Sequence, residues 1–197
     1  METVKYMLKP DWVSWESMLE CLKESHKTDE QNGFHMYNAT MQLEEFKDYL
    51  KDAYCFVALK GDVIIGMNAL KIKKCKMWWA DVEGYECMTA VKPEYRSTGA
   101  YFGLRKIRTQ FAKQQGVKVL QFSTNEANKN IQMIDLKFGF KYVRYCADRT
   151  TDYYSVVMAK WLDSCPFSDR YIEFRFKLSK FLTRLVFKPG RKFRFWF

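Results

Sequence analysis

A chain of 197 residues and 23.6 kDa is long enough for one substantial core, and any second domain would have to be small. Its 48% hydrophobic and 17% aromatic residues exclude the disordered class, which lacks the apolar side chains needed to offset chain entropy. The formal net charge of +10 is unevenly placed: from Asp169 onward nine lysines and arginines stand against two acids, so the basicity belongs to the tail and not to the body.

The six cysteines are scattered, with no Cys-x-x-Cys pair and only His26 and His35 as imidazole partners, which argues against a metal site. No apolar run approaches the ~20 residues of a bilayer span. No apolar h-region follows Met1, so reduced thiols and a cytoplasmic location are expected.

In chain order, Val4 to Leu8 reads as a strand. Asp11 then caps an amphipathic helix through Trp12, Trp15, Met18, Leu19 and Leu22, broken by the polar stretch from His26 to Gly33. Leu43, Phe46, Tyr49 and Leu50 mark a second helix. Tyr54 to Lys60 and Val63 to Ile72 flank Gly61-Asp62 as a hairpin. Tyr85 to Val91 is the next strand, stopped by Pro93. A helix is predicted over 96–115 with Phe102, Ile107 and Phe111 among its apolar positions, closed by Gly116. Val117 to Ser123 is a strand, Asn128 to Phe138 a helix ending at Gly139, and Phe140 to Cys146 and Tyr153 to Lys160 a closing strand pair.

The informative join is Val91-Lys-Pro-Glu-Tyr-Arg-Ser-Thr-Gly-Ala-Tyr, a strand feeding a turn that opens a helix. The N–H groups at a helix start are unpaired and carry about half a positive charge, which suits a diphosphate. Val91, Pro93, Arg96 and Gly99, followed by Asn128 and Lys137-Phe138-Gly139-Phe140, resemble the two signature segments of the GNAT superfamily of acyl-CoA N-acyltransferases. The resemblance spans roughly residues 1–165, and residues 166–197 form a basic aromatic C-terminal extension.

That resemblance implies an α/β fold of the GNAT type, with a mostly antiparallel mixed sheet of six or seven strands, a splayed strand pair and about four flanking helices. It also implies direct acyl transfer from acetyl-CoA to a primary amine. The amides of Arg96, Ser97, Thr98, Gly99, Ala100 and Tyr101 would hold the pyrophosphate. Pantetheine would run along Thr89, Ala90 and Val91, where the strand parts from the one beginning at Val117, and the Asn128 side chain would touch the arm. Tyr101 stands where the family has Gly or Ala, and Asp135 where many members carry the tyrosine that protonates the thiolate. Glu86, and after it Glu83, are the candidate bases; a solvated strand carboxylate is the competing reading of Glu86, and a buried structural thiol that of Cys87. His26 and His35 read as surface histidines near the acceptor site, which would also involve the segment 147–152. The acyl groove would lie around Trp78 and Trp79, and acyl groups larger than acetyl are left open.

Expected partners are an acyl-CoA and a small-molecule or protein amine, with a homodimer left open. As a helix, the extension groups Tyr171, Phe174, Leu178, Phe181, Leu182 and Leu185 on one side; as a strand, Ile172, Phe174, Phe176 and Leu178 alternate with charges. Its alternatives are a docked element, or contact with a membrane or with nucleic acid through Arg191 to Phe197. A GNAT-like module that binds acyl-CoA without turnover is the other functional alternative.

Overall fold

The computed structural model describes residues 3–31, 40–77, 80–147 and 153–187. His35, Trp78, Trp79, residues 148–152 and the aromatic end 191–197, all singled out in the sequence, lie outside the described residues. Seven strands form one sheet in the order β1-β2-β3-β4-β5-β7-β6, comprising β1 (Val4–Leu8), β2 (Ala53–Lys60), β3 (Val63–Met77), β4 (Ala80–Val91), β5 (Val119–Asn125), β6 (Lys141–Ala147) and β7 (Tyr154–Trp161). The helices are α1 (Trp15–Gln31), α2 (Leu43–Leu50), α3 (Ala100–Gln114), α4 (Lys129–Lys137) and α5 (Asp169–Val186). The β1–β2, β2–β3, β5–β7 and β6–β7 pairs are antiparallel. The chain divides into two compact units, residues 1–73 with 84–117, and residues 74–83 with 118–197. The division therefore falls within β4.

In the first unit, α1 and α2 cover one face of the sheet. Met18, Leu22, Phe46 and Leu50 pack with Val57, Met67, Ala69 and Cys87, all buried; at roughly 1.5–3 kcal/mol for each large apolar side chain, this cluster is the unit's main source of stability. α3 packs on β1 and β2, where Phe111 meets the rings of Tyr54 and Phe56 at 4.7 and 5.3 Å. A Cβ on Gly103 would fall 2.1 Å from the Tyr6 ring, so only glycine lets α3 approach β1 this closely.

In the second unit, Ala80, Val119 and Ala159 form the buried centre, with Val143 and Trp161 packed against it. Phe122 and Phe140 meet edge-on at 5.3 Å. Lys118 N donates to Val82 O at 2.9 Å, tying the entry to β5 to the start of β4.

Several expectations are corrected. Ser14, not Asp11, caps α1: its Oγ accepts from Ser17 N at 3.1 Å, and α1 begins only at Trp15. α1 also continues past the polar break to Gln31; Ser25 and His26 are buried there, and Ser25 bonds to Val91 at the end of β4 and to Arg96 beyond it. His26 is thus no surface histidine. α3 starts at Ala100 and not at Arg96, since Gly99 has φ +84°, a left-handed conformation that a right-handed helix cannot contain; Pro93–Tyr95 make a separate 3-10 turn. The buried face of α3 is Leu104, Arg105, Arg108 and Ala112, while Phe102 is exposed. β3 and β4 are longer than their apolar cores, extending to Met77 and from Ala80.

Candidate active site

The turn after β4 is held from its sides. Arg96 sends Nε to Val91 O at 3.4 Å and a terminal guanidinium nitrogen to Ser25 O at 2.6 Å, and Lys92 Nζ reaches the Glu24 carboxylate of α1 at 2.8 Å. Arg96 N and Thr98 N donate to Pro93 O and Tyr95 O, at 3.3 and 3.1 Å. Thr98 Oγ1 donates to the same Tyr95 carbonyl at 2.7 Å. These bonds curl the chain so that α3 opens at Gly99, which no side chain caps. A Cβ placed on Gly99 would meet nothing within 4 Å. The first turn of α3 is closed by Gly103 N to Gly99 O at 3.0 Å, and the amides that precede this bond have no partner within the helix. Tyr101, at the position where the family has a small residue, is half-buried, with the Arg105 guanidinium over its ring at 5.3 Å.

The end of β4 is contacted by side chains from both covering helices. Val91 N donates to Ser25 Oγ at 3.3 Å, and Tyr49 Oη donates to Cys87 O at 3.4 Å. Thr89 Oγ1 accepts from Asn68 Nδ2 at 2.5 Å, so that side chain is used within the sheet, and Ala90 is buried. Burial pushes the Cys87 thiol up to about 12, which keeps it protonated and supports the structural reading over a nucleophile.

Glu86 is not a solvated strand carboxylate. It is buried, and one of its oxygens pairs with Arg108 of α3, whose side chain is 1% exposed. Glu86 Oε1 has no hydrogen-bond partner among the described residues. Nothing in the apolar pattern marked Arg108; its spacing of four from both Leu104 and Ala112 was the available signal.

In the second unit, Asn128 caps α4 through Oδ1, which accepts from Ile131 N at 3.3 Å, leaving its amide nitrogen as a donor. Asp135 is fully buried, and its carbonyl accepts from Phe138 N and Phe140 N. Glu83 accepts from Gln121 Nε2 at 3.3 Å. Gln121 in turn lines a cavity of about 170 Å³ with Val143, Trp161, Ile172 and Arg175.

A cluster that the sequence did not signal centres on Glu126 at the end of β5. It accepts from Tyr145 Oη and from Lys180 and Arg184 of α5, the latter two at 3.0 and 2.7 Å. Burial raises the Glu126 pKa, but these hydrogen bonds outweigh burial and bring it down to about 2. Burial and the Glu126 carboxylate push the Tyr145 hydroxyl up to about 12.

Comparison with solved structures places this fold among N-acetyltransferases. The ribosomal-protein-S18-alanine N-acetyltransferase of Escherichia coli aligns with TM-score 0.63 at 11% identity, over 83% of this chain and 96% of that one. Ard1 of Thermoplasma volcanium gives 0.63 at 12%, over 80% and 97%. A chain of the NatC complex bound to Gag peptide and CoA gives 0.64 at 14%, over 82% and 99%. No curated protein sequence matches. The sequence model of the acetyltransferase (GNAT) family matches residues 15–140. That stretch runs from the first residue of α1, through the uncapped turn at Gly99, to the Gly-Phe closing α4, and on this match the chain belongs to the GNAT family and is an acyltransferase.

Proposed function

We propose that the chain transfers an acetyl group from acetyl-CoA directly to a primary amine. The observation that carries this reading is the start of α3. A left-handed glycine, no side-chain cap and an open approach leave main-chain donors and the helix dipole for a diphosphate. With the Arg96 and Thr98 amides engaged in the turn, the donors are Ser97, Gly99 and Ala100, while the Arg96 side chain fixes the turn's position. Pantetheine lies along β4 at Thr89 and Ala90; Val91, whose amide already donates to Ser25 and whose carbonyl accepts from Arg96, shapes that end of the strand.

In the reaction the neutral amine attacks the thioester carbonyl, the C–S bond breaks, and one proton passes from the ammonium to a base while the thiolate takes another. Glu86 Oε1, held in place through the Arg108 contact on its other oxygen, is the proposed acceptor of the first proton, directly or through water. The thiolate takes the second proton from solvent. Free thiols at Cys21, Cys55, Cys87, Cys146 and Cys165 suit a reducing cytoplasm.

Calorimetric titration with acetyl-CoA, combined with thiol release over a panel of small amines and peptides, tests the reading. Saturable binding that is lost with coenzyme A lacking the diphosphate, and release that depends on the amine, are expected. Absence of acetyl-CoA binding refutes it, and binding with no release under any amine identifies a carrier module instead. Glu86→Gln should lower kcat.

A further inference from the structure

We propose that the outer face of α5 seats this protein on an anionic phospholipid surface. The reading is independent of which acyl donor or acceptor the enzyme uses. The place of α5 in the second unit is fixed by its inner, largely polar side. Ser179 Oγ accepts from Tyr145 N and donates to Tyr145 O, both at 3.0 Å, and Thr183 Oγ1 donates to the same carbonyl at 3.0 Å. Lys180 and Arg184 close on Glu126, and Phe176 stacks on Tyr142 at 5.0 Å. Ser168 caps the helix through Tyr171 N at 3.3 Å. Ile172 is buried at the start of the helix, and of the outer apolar stripe only Tyr171, stacked on Phe167 at 5.3 Å, takes part in this docking.

That stripe consists of Tyr171, Phe174, Leu178, Phe181, Leu182 and Leu185, at successive spacings of three, four, three, one and three residues, and it faces outward. Phe174, Phe181 and Leu185 are 63%, 64% and 70% exposed. At 1.5 Å per residue it runs about 21 Å along the helix. A continuous outward apolar stripe of this size on a docked helix calls for a partner surface.

Charge decides among the occupants. Arg170 and Arg175 flank the stripe on its two sides, and the two acids of the segment, Asp169 and Glu173, are paired with Lys141 and Lys177. The sequence beyond α5 adds Lys188, Arg191, Lys192 and Arg194, interleaved with Phe193, Phe195, Trp196 and Phe197. A second copy of the helix would bring these cations against their own kind. Single-stranded nucleic acid would satisfy the cations, but half of the stripe is leucine, which offers bases no stacking surface. An anionic bilayer interface takes both, the leucines and phenylalanines at the acyl boundary and the cations among the headgroup phosphates. No helix among the described residues is long and apolar enough to cross a membrane, so the helix lies on the surface.

The test is flotation of the full chain with phosphatidylcholine vesicles and with vesicles in which about one lipid in three is phosphatidylglycerol. Two variants, Phe174→Ser/Phe181→Ser/Leu185→Ser and Arg170→Gln/Arg175→Gln, are run alongside, each checked for an unchanged thermal midpoint and circular dichroism. Flotation with the anionic vesicles is expected, weaker by about tenfold or more on pure phosphatidylcholine and for the triple variant, and reduced several-fold for the charge variant. Three results overturn the proposal. One is no flotation with anionic vesicles. Another is equal flotation of the triple variant. The third is a triple variant that instead loses a dimer, or loses binding to a single-stranded oligonucleotide, in the absence of lipid.

Discussion

Replacing Arg108 by methionine isolates the cost of the buried pair beneath the site. The Arg108 and Glu86 side chains are 1% and 6% exposed, so neither charge is solvated, and the substitution leaves a buried carboxylate without its guanidinium. Breaking a pair at this depth costs about 3–5 kcal/mol, against 0–1 kcal/mol for a surface pair. For a chain of this length 1 kcal/mol moves the thermal midpoint by about 2–4 °C, so Arg108→Met should lower it by about 6–20 °C. Glu86→Leu/Arg108→Met, which removes both charges and keeps apolar volume, should recover to within about 1 kcal/mol of the parent protein. Urea unfolding followed by tryptophan fluorescence measures all the species. A loss under about 1 kcal/mol for Arg108→Met, or a double variant no better than the single, would show that the pair is not buried as described.

Glu126 makes stability depend on acid. Its folded pKa of about 2 lies below the ordinary 4.5, so its contribution is fully present above pH 4.5 and is lost as pH falls toward 2. The Lys180 and Arg184 side chains are 37% and 51% exposed, so solvent screening holds the loss over that window to about 1 kcal/mol, and Glu126→Gln should flatten the corresponding urea midpoints while loosening α5. Gly99→Ala meets no steric neighbour but forces a left-handed alanine, so it should cost about 1–2 kcal/mol and weaken acetyl-CoA binding measured by calorimetry. Gly103→Ala places a Cβ inside the Tyr6 ring and should cost about 1–3 kcal/mol in thermal unfolding, a loss that Tyr6→Ala in the same chain partly relieves.

The element order and the turn between β4 and α3 were legible because their signals are local. Gly61, Gly99, Gly116 and Gly139 all have positive φ, and each ends or joins an element that the apolar pattern had already outlined. The supports of the site were not legible. Ser25 and Tyr49 lie on α1 and α2, far along the chain from the β4 groups they bond, and no spacing rule links them to Cys87 or Val91. Glu86 alternated along β4 like a solvent-facing residue, yet β4 buries residues of both parities, including Glu86, Cys87 and Met88. Period-two reasoning holds only for a strand with one wet face.

α5 shows the same limit in reverse. Its sequence groups the large apolar residues on one side, and the usual inference turns that side inward. The structure turns it outward, because the other side offers Tyr145 two hydroxyls at 3.0 Å and Glu126 two cations. Those groups give a main-chain carbonyl two donors and add two cations to a carboxylate that otherwise has the Tyr145 hydroxyl, whereas an inward Leu178 or Phe181 would forfeit these bonds, each worth about 0.5–1.5 kcal/mol. Polar satisfaction thus decides the orientation of the helix. The apolar stripe it leaves in water violates the inside rule at a place where the neighbouring cations point to an anionic surface, and conflicts between local pattern and fold fall where function has set the sequence.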